Sequence, residues 1–285
     1  MGRVVDDVTG QPIAGAVVIV SNRTVIAGPT PPAASASPWP MATTDASGSF
    51  DVKGLPVSGV DNNFSYVGAG YPDYPHAQWL EIFSPDGHAA YHGIWTVNPT
   101  GTTSLGTIMV AMPSAADAAW LAQINSDRMT IGNPVQPGNL TFDSATLETA
   151  RFWANEMATQ GFYAHQCPAT DTMCKAFWLY ETQAHSLPSS QNIAFGFANG
   201  IAAEAAFTAE VANCPGGNWQ KCTYAENTGH YINIMSATYW AGVGSVTGLN
   251  PNTQSGNTTP FYVEDFVTPM QFGSIQSLKR GVWGV

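Results

Sequence analysis

The sequence predicts two domains of different class, an all-β sandwich over residues 1–113 and an α/β/α sandwich over residues 114–285. Short segments rich in β-branched residues, separated by Gly and Pro, fill the first part of the chain. Amphipathic helices begin after Pro113 and then alternate with apolar strands toward the end of the chain. With 285 residues, the chain is long enough for two ordinary domains.

In the first part, β-branched runs predict the strands and polar clusters predict the turns. GRVVDD and AVVIVSN are predicted strands on either side of the turn TGQPIAG. TTDASGSFDVKGL is predicted to form a strand, a tight turn and a second strand, with Asp45, Ser47 and Gly48 in the turn. LGTIMVAM closes the unit, and the Pro/Ala/Ser-rich segment AGPTPPAASASPWP is predicted to be a long surface loop.

In the second part, helix signals predict three helices, followed by strands. SAADAAWLAQINSDRMTIG begins with Ser114 and Asp117 at capping-box spacing and ends at Gly132. DSATLETARFWANEMATQG is the second predicted helix, and Gly161 ends it. Its apolar residues recur at helical spacing: Leu147, Ala150, Ala154, Met157 and Ala158. GIAAEAAFTAEVANC is the third predicted helix, whereas YINIM, WAGVGSV and PFYVEDFV are predicted strands.

Composition and charge exclude several classes of partner. Acidic residues outnumber basic ones by 20 to 9, and the net charge is −11. No basic stripe is present to neutralise phosphates, so nucleic acid and anionic membranes are poor candidate partners. No run of 18 apolar residues predicts a membrane span. The opening MGRVVDDVTG runs directly into a predicted strand, as expected of a mature form with an added start residue.

The four cysteines form two pairs that are close in sequence, Cys167 with Cys174 and Cys214 with Cys222. An even count in short loops predicts two disulfides and an oxidising compartment. Zinc is the competing interpretation, but neither pair has the two-residue spacing of a thiolate zinc site. Together with few Lys and Arg residues, the cysteines predict an extracellular protein, or one of the periplasm or cell surface.

Two stretches of the first part, GRVVDDVTGQPIAGAVVIV and TTDASGSFDVKGLP, resemble the carboxypeptidase regulatory-like (transthyretin-like) sandwich family. The resemblance covers about 55 residues well and the rest of the first part loosely. It implies a fold and no chemistry. Such sandwiches are commonly accessory modules of secreted proteins.

Five segments of the second part, in chain order, resemble the CAP superfamily of cysteine-rich secretory, antigen 5 and pathogenesis-related (SCP-like) proteins. They are INSDRMTIG, TLETARFWANEMATQGFYAHQ, QNIAFGF, GHYINIMSATYWAGVG and YVEDF. The resemblance spans residues 114–270. It implies the α/β/α sandwich of the CAP (SCP) fold for this part of the chain.

The CAP resemblance also implies a central cleft in which two histidines and two acids converge. The histidines are His165 and His230, one acid is Glu210 on the third helix, and Gln191 occupies the position of the second acid. Many family members hold a divalent metal, often zinc, through the histidines. Tyr231 is a candidate to line the same cleft, or equally to belong to the core.

The amide of Gln191 is a departure from the family pattern that weakens such a site. An amide brings no negative charge and cannot take up a proton near neutral pH, so the change disfavours acid–base catalysis. It preserves hydrogen bonding, because an amide both donates and accepts. We therefore expect a retuned cleft in which His165 and His230 bind zinc or another divalent cation weakly. No residue is assigned a catalytic role.

Other polar residues have weaker grounds for a functional role. His88 and His92 are four apart, but their region is predicted to be strand and turn, so a shared helix face is not expected. His185 lies in the loop before Gln191 and is an alternative cleft residue. Asn192 is expected to anchor backbone rather than to contact a ligand. The sequence has no nucleophile elbow, phosphate loop or zinc-protease helix motif.

The sequence leaves three functions open. The first is a secreted, non-enzymatic protein that binds a small apolar or amphipathic ligand, such as a lipid or sterol, as several CAP proteins do. The second is a metal-dependent hydrolase acting on peptide or cell-wall material through His165, His230 and Glu210. The third is an extracellular adhesion protein, with both domains as interaction modules. The expected partner is thus a small apolar ligand or an extracellular or cell-wall component, and the sequence does not determine the oligomeric state.

Overall fold

The computed structural model describes most of the chain, with gaps. The described residues are 1–21, 40–54, 77–85, 89–96, 101–131, 137–172, 174, 190–237, 240–253 and 256–267. They fall into two compact units, one within residues 1–112 and the other beginning at Pro113. Nearly all of the predicted loop AGPTPPAASASPWP lies outside the described residues, as does the predicted helix stop at Gly132.

The first unit contains two β-sheets. Its strands are β1 (Gly2–Asp6), β2 (Val17–Ser21), β3 (Met41–Thr43), β4 (Ser49–Phe50), β5 (Ala77–Phe83), β6 (Ala89–Thr96) and β7 (Thr107–Val110). One sheet has the order β4–β1–β7, with β1 antiparallel to β4 and parallel to β7. The other is antiparallel throughout and has the order β3–β2–β5–β6.

Both sheets of the first unit contribute side chains to one hydrophobic core. From the three-stranded sheet come Val4, Phe50, Ile108 and Val110, and from the four-stranded sheet Val18, Val20, Leu80 and Ile82. Residues two apart on each strand share this core because successive side chains of a strand point to opposite faces. The two sheets therefore pack against each other through this shared core.

The tight turn between β3 and β4 has the predicted chemistry. The Asp45 carboxylate accepts hydrogen bonds from the Ser47 N–H at 2.8 Å and from the Ser49 N–H at 3.0 Å. The bond from the Ser47 hydroxyl, together with these two backbone bonds, holds the pKa of Asp45 below its usual value. Gly48 has φ +76°, and a Cβ there would lie 2.3 Å from the carbonyl oxygen of Val4. The turn therefore requires glycine at this position for both conformation and space.

The second unit is built on one four-stranded sheet. Its strands are β8 (Thr141–Phe142), β9 (Ser190–Phe195), β10 (Trp240–Leu249) and β11 (Thr258–Val267). The order is β8–β10–β11–β9, so β11 lies inside the sheet and β9 lies at its edge. β11 is antiparallel to both neighbours, and β10 is parallel to β8.

The first two helices have the predicted ends. Helix α1 (Ala115–Thr130) begins with a complete capping box, in which Ser114 N–H donates to the Asp117 carboxylate at 2.8 Å. Helix α2 (Ser144–Gln160) begins at Asp143, whose carboxylate accepts from Thr146 N–H at 3.0 Å, and ends at Gly161 with φ 66°. No described helix has both the length and the apolar character needed to cross a membrane.

The remaining helical segments correct two predictions. The third predicted helix is α-helical only over α3 (Gly200–Thr208) and continues as a 3₁₀ turn (Ala209–Asn213), which carries Glu210. YINIM, predicted as a strand, lies in helix α4 (Gly229–Ser236). A short apolar run has no decisive periodicity, so contacts to residues distant in sequence select its conformation.

Helix α2 lies against one face of the sheet with its backbone directly on β10. A Cβ on Gly242 would lie 2.1 Å from the Thr146 carbonyl oxygen, and one on Gly244 would lie 2.4 Å from the Ala150 backbone. Glycine at alternate positions of β10 is therefore what allows this close approach. All five predicted apolar positions of α2 are buried.

The opposite face of the sheet is covered by other helices. Trp120 of α1 packs edge-on against Tyr262 of β11, with ring centroids 5.7 Å apart. Its indole N–H donates to the Glu264 carboxylate at 2.8 Å. Gly200, at the start of α3, lies against the Trp120 ring, where a Cβ would approach to 2.3 Å. Helices therefore cover both faces of this one sheet.

Candidate functional site

Two disulfides hold the segments that carry the predicted site residues. Cys167 pairs with Cys174, with Cα atoms 5.8 Å apart, and Cys214 pairs with Cys222, with Cα atoms 4.9 Å apart. Both pairings are those that the spacing predicts. The first bridge begins two residues after His165. Each bridge closes a short loop and restricts the segment next to the site.

The structure brings His165 and Gln191 into contact. His165 is exposed and follows the end of α2, whereas Gln191 is half-buried on the edge strand β9. The distance between His165 Nδ1 and Gln191 Oε1 is 2.9 Å. On its other side, Gln191 Nε2 donates to Asp265 Oδ1 at 2.9 Å. The amide thus lies between a surface imidazole and a carboxyl group that is completely buried.

The structure also brings His230 and Glu210 into contact. The distance between His230 Nδ1 and Glu210 Oε1 is 2.7 Å. Glu210 Oε2 accepts from the backbone N–H of His230 at 3.0 Å and from that of Tyr231 at 3.2 Å. These N–H groups belong to the first turn of α4, where helix donors have no partner within the helix. Glu210 therefore caps α4 as well as holding the imidazole.

Two asparagines connect the two histidine pairs. Asn192 Nδ2 donates to the His230 carbonyl at 3.3 Å, and Asn233 Nδ2 donates to the Gln191 carbonyl at 3.3 Å. The two amide side chains also bond to each other, from Asn233 Nδ2 to Asn192 Oδ1, at 2.9 Å. Asn192 is thus a backbone anchor, as expected, and it attaches β9 to α4.

Tyr231 belongs to the core. Its side chain is completely buried, and its hydroxyl donates to the carbonyl oxygens of Gly217 at 2.9 Å and Ile131 at 3.2 Å. Burial raises the pKa of this phenol. Of the two roles that the sequence left open for Tyr231, the structure supports packing. Its connection with Glu210 is made by the backbone N–H alone.

The hydrogen bonds assign a tautomer to both histidines. Glu210 only accepts, so His230 carries its proton on Nδ1. The Gln191 amide nitrogen is turned toward Asp265, so its oxygen faces His165, and that ring also carries its proton on Nδ1. In a neutral ring with its proton on Nδ1, the Nε2 atom keeps its lone pair. A neutral imidazole with a free Nε2 is a good ligand for a divalent cation.

The sequence reasoning missed the buried acid behind Gln191. Burial raises the pKa of Asp265 to about 7, while its hydrogen bonds with Gln191 and Thr149 oppose the shift and the Glu264 charge adds to it. One signal was available in YVEDF, where two acids stand in an apolar strand. Because successive residues face opposite sides of a sheet, one acid points to each side. In a strand inside the sheet with helices on both faces, both acids are buried.

Glu264, the other acid of YVEDF, belongs to a second cluster of carboxyl groups, with Glu204 and Asp127. It accepts from Trp120 Nε1 at 2.8 Å and from Asn192 Nδ2 at 3.0 Å. Glu204 of α3 is also completely buried, and neither of its oxygens makes a hydrogen bond of standard geometry. Burial, followed by the neighbouring Glu264 and Asp127 carboxyls, raises the pKa of Glu204 well above its usual value. Since Glu264 accepts two N–H bonds, Glu204 is the acid that takes up the proton.

Arg128 is a buried cation that interacts electrostatically with the Glu204 carboxyl. It is 1% exposed, and its guanidinium donates to carbonyl oxygens of Gly138, Ile234 and Ala237. Burial lowers its pKa to about 10, although the Glu204 carboxyl opposes the shift. Arg128 thus stays charged at neutral pH.

The predicted cation ligands do not form a closed cluster. Within the described parts of the chain, one group of His, Cys, Asp or Glu ligand atoms lies within 4.8 Å of one another, and it consists of Glu156, Asp171 and Cys174. Cys174 is in a disulfide and offers no thiolate. Gln160 Nε2 donates to both Glu156 and Asp171, so these acids already share a donor. This group is a surface hydrogen-bond network at the end of α2.

The remaining candidate histidines lie outside the described residues or in the first unit. His88 and His185 lie outside the described residues. His92 lies on strand β6 of the first unit, which agrees with the predicted strand and does not place it on a helix face.

The chain matches no protein-family model and no curated protein. Among solved structures it is similar to MpPR-1i, with 15% identity over 56% of this chain and 94% of that chain, at a TM-score of 0.32. It is also similar to a 9R-lipoxygenase from Cyanothece PCC8801, with 19% identity over 41% of this chain, at a TM-score of 0.21. The matched region spans 17% of the lipoxygenase. TM-scores this low establish no common fold.

Proposed function

We propose that the second unit is a CAP-type extracellular binding domain that holds a divalent cation weakly at its two histidines and catalyses no hydrolysis. The observation that supports this proposal is that the Nδ1 atom of each histidine is held by a hydrogen bond. In both His165 and His230 a neighbouring acceptor occupies Nδ1, which leaves Nε2 available as a ligand. Partners that hold the other ring nitrogen are typical of histidines that bind metal.

The acid of the site is poorly suited to be a general base. Glu210 accepts three hydrogen bonds, from His230 Nδ1 and from the backbone N–H groups of His230 and Tyr231. Both oxygens of Glu210 are thus engaged in holding the imidazole and the first turn of α4. Gln191 is an amide and cannot act as a base. These two facts favour binding over hydrolysis.

The same residues favour weak cation affinity. His165 and His230 would be the protein ligands, and a cation held there would supply a positive centre for an anionic group of a ligand. One carboxylate, Glu210, is in hydrogen-bond contact with a ligating ring, whereas the other ring contacts a neutral amide. Structural zinc sites have four protein ligands. A site with two imidazole ligands and one nearby carboxylate is expected to bind a divalent cation less tightly than such a four-ligand site.

The extracellular location and the apolar ligand are part of the proposal. The two disulfides are typical of proteins from oxidising compartments. The ligand class, a lipid or sterol, follows from the CAP resemblance. Native mass spectrometry after incubation with a lipid extract tests it, because a bound lipid appears as a discrete added mass. Absence of any added mass would count against a lipid ligand and favour an adhesion role.

Zinc titration by calorimetry tests the cation site. We expect weak binding to the wild type, loss of binding in His165→Ala and His230→Ala, and binding about 10-fold tighter in Gln191→Glu, the size typical of changes beside a metal ligand. Acid should weaken binding, because a protonated imidazole has no lone pair for the metal. Zinc-loaded protein should release no fragments from peptide or cell-wall substrates.

Gln220→Glu is the matched control, because Gln220 is exposed in the same unit and the change adds the same charge. It should leave zinc affinity unchanged. Wild-type binding as tight as that of Gln191→Glu, or unchanged binding in His165→Ala, would contradict the site assignment. Fragment release that disappears in His165→Ala would support the hydrolase instead.

A further inference from the structure

The edge strand β9 and its neighbour β11 place a buried carboxyl directly behind the His165 pair. Gln191 and Asp265 are partners in the antiparallel register of these strands, so their side chains lie on the same face of the sheet. The amide spans the distance between interior and surface, with bonds of 2.9 Å at both ends. Asp265 is completely buried and His165 is exposed.

A glutamine side chain by itself does not determine a histidine tautomer. Its amide oxygen would favour the imidazole with the proton on Nδ1, and its NH₂ group would favour the imidazole with the proton on Nε2. The two orientations occupy the same space. A third group that only accepts, or only donates, is needed to select one of them.

We propose that Asp265 is this third group, a positioning residue that orients the Gln191 amide and thereby holds His165 in the Nδ1–H tautomer with its Nε2 lone pair toward solvent. Its carboxyl oxygen Oδ1 accepts from Gln191 Nε2, which leaves the amide oxygen for His165 Nδ1–H. The acid expected beside the histidine is thus placed one residue farther away and acts through an amide. The value of this arrangement for cation binding depends on the proposed function, whereas the tautomer itself does not.

The surroundings of Asp265 support a fixed orientation. The groups that act on its carboxyl are Gln191 from β9, Thr149 from α2 and the adjacent Glu264 of β11. Oδ1 accepts from Gln191 Nε2, whereas Oδ2 is buried and makes no hydrogen bond of standard geometry, so Oδ2 is the oxygen that is open to a proton. Oδ1 then remains an acceptor for Gln191 in either protonation state of Asp265.

The tautomer can be measured in the metal-free protein by ¹⁵N NMR of the histidine rings, at about pH 8, where a free imidazole is neutral. Protonated and unprotonated ring nitrogens resonate at well separated frequencies. We expect a single Nδ1–H form for His165 in the wild type. In Asp265→Asn the new amide can donate or accept, so Gln191 can turn over and His165 should become a mixture of tautomers. The double variant Asp265→Asn/Gln191→Glu places a carboxylate against the ring and should restore the single form.

His230 is the internal control, because Glu210 holds its Nδ1–H directly, and its signals should be unchanged in every variant. If Asp265→Asn fails to fold, Gln191→Met breaks the link at the half-buried strand edge and should give the same mixture at His165. A wild-type His165 protonated on Nε2, or a single Nδ1–H form retained in both Asp265→Asn and Gln191→Met, would overturn the proposal. Failure of zinc binding with the tautomer results as expected would instead contradict the proposed function alone.

Discussion

The two histidine pairs of the second unit are held in different ways. His230 has a carboxylate in direct contact, and that carboxylate also caps a helix. His165 has a neutral amide in contact, and the carboxyl that orients the amide lies behind it in the interior. Both rings nonetheless carry their proton on Nδ1. The same tautomer is therefore reached with a carboxylate beside the ring in one pair and with a buried carboxyl group one residue away in the other.

This difference shows how charge and geometry can be separated at a site. A carboxylate next to the ring both orients it and attracts a cation, whereas an amide orients the ring without adding charge. Placing the acid inside has an energetic consequence, because a buried carboxyl is stable mainly in its protonated form. The His165 pair is thus linked to a group that titrates near neutral pH, and three measurements can test or sharpen the comparison.

The largest expected effect is on the pH dependence of stability. The pKa of Asp265 is raised to about 7 in the folded protein from 3.8, so between these values the folded state binds a proton that the unfolded state has lost. The free energy of unfolding should therefore fall as pH rises from about 4 to about 7, and Asp265 alone contributes on the order of 4 kcal/mol to that fall. Burial also raises the pKa of Glu204 and of Glu264, which act in the same direction.

Urea unfolding of wild type and Asp265→Asn across this pH range measures the contribution. The variant should lose less stability with rising pH, while Glu226→Gln, a change at an exposed acid of the same unit, should follow the wild type. If the stability of the variant changed with pH in parallel with that of the wild type, Asp265 would be ionised throughout this pH range. The two histidine pairs would then differ only in the distance between the imidazole and the carboxylate.

A smaller effect is expected when the acceptor of each pair is removed. Glu210→Ala takes away three hydrogen bonds to a charged group, two of them at the start of α4, and should destabilise by roughly 3 kcal/mol. Gln191→Ala takes away two bonds of an amide and should destabilise by roughly 1 kcal/mol. Chemical denaturation at pH 7 gives both values. Equal losses of stability in the two variants would mean that the Gln191 amide and the Glu210 carboxylate stabilise the fold to the same extent.

The smallest effect is expected at Glu204. Because burial and the neighbouring carboxyls favour the protonated, neutral form of this side chain, Glu204→Gln should change stability at pH 7 by less than about 1 kcal/mol. Glu264→Gln should destabilise the protein more. Trp120 donates to one oxygen of Glu264 and Asn192 to the other, so the new NH₂ group would face one of those donors. The reverse order would place the proton on Glu264, and the acid bonded to Asn192 beside the His230 pair would then be neutral.

Features with partners a few residues away could be predicted from the sequence. The capping box of α1, the Asp45 turn and both disulfides depend on groups at most eight residues apart, and each has the predicted form. The apolar stripe of α2 also followed from local spacing, because helical periodicity marks the face that must be buried. The site residues were predicted from the CAP resemblance, and the structure joins them as the pairs His165–Gln191 and His230–Glu210.

What tertiary structure decided involves groups distant in the chain. YINIM became a helix whose first turn is capped by Glu210, some twenty residues earlier, and no local pattern marks that contact. Gln191 and Asp265 are 74 residues apart, and their contact exists because β9 pairs with β11 in one register. Alternation in YVEDF showed that the two acids face opposite sides of the strand, but only helices packed on both faces remove them from water. That loss of hydration raises the pKa of Asp265. It depends on the packing of the helices against the sheet, so it cannot be predicted from the sequence alone.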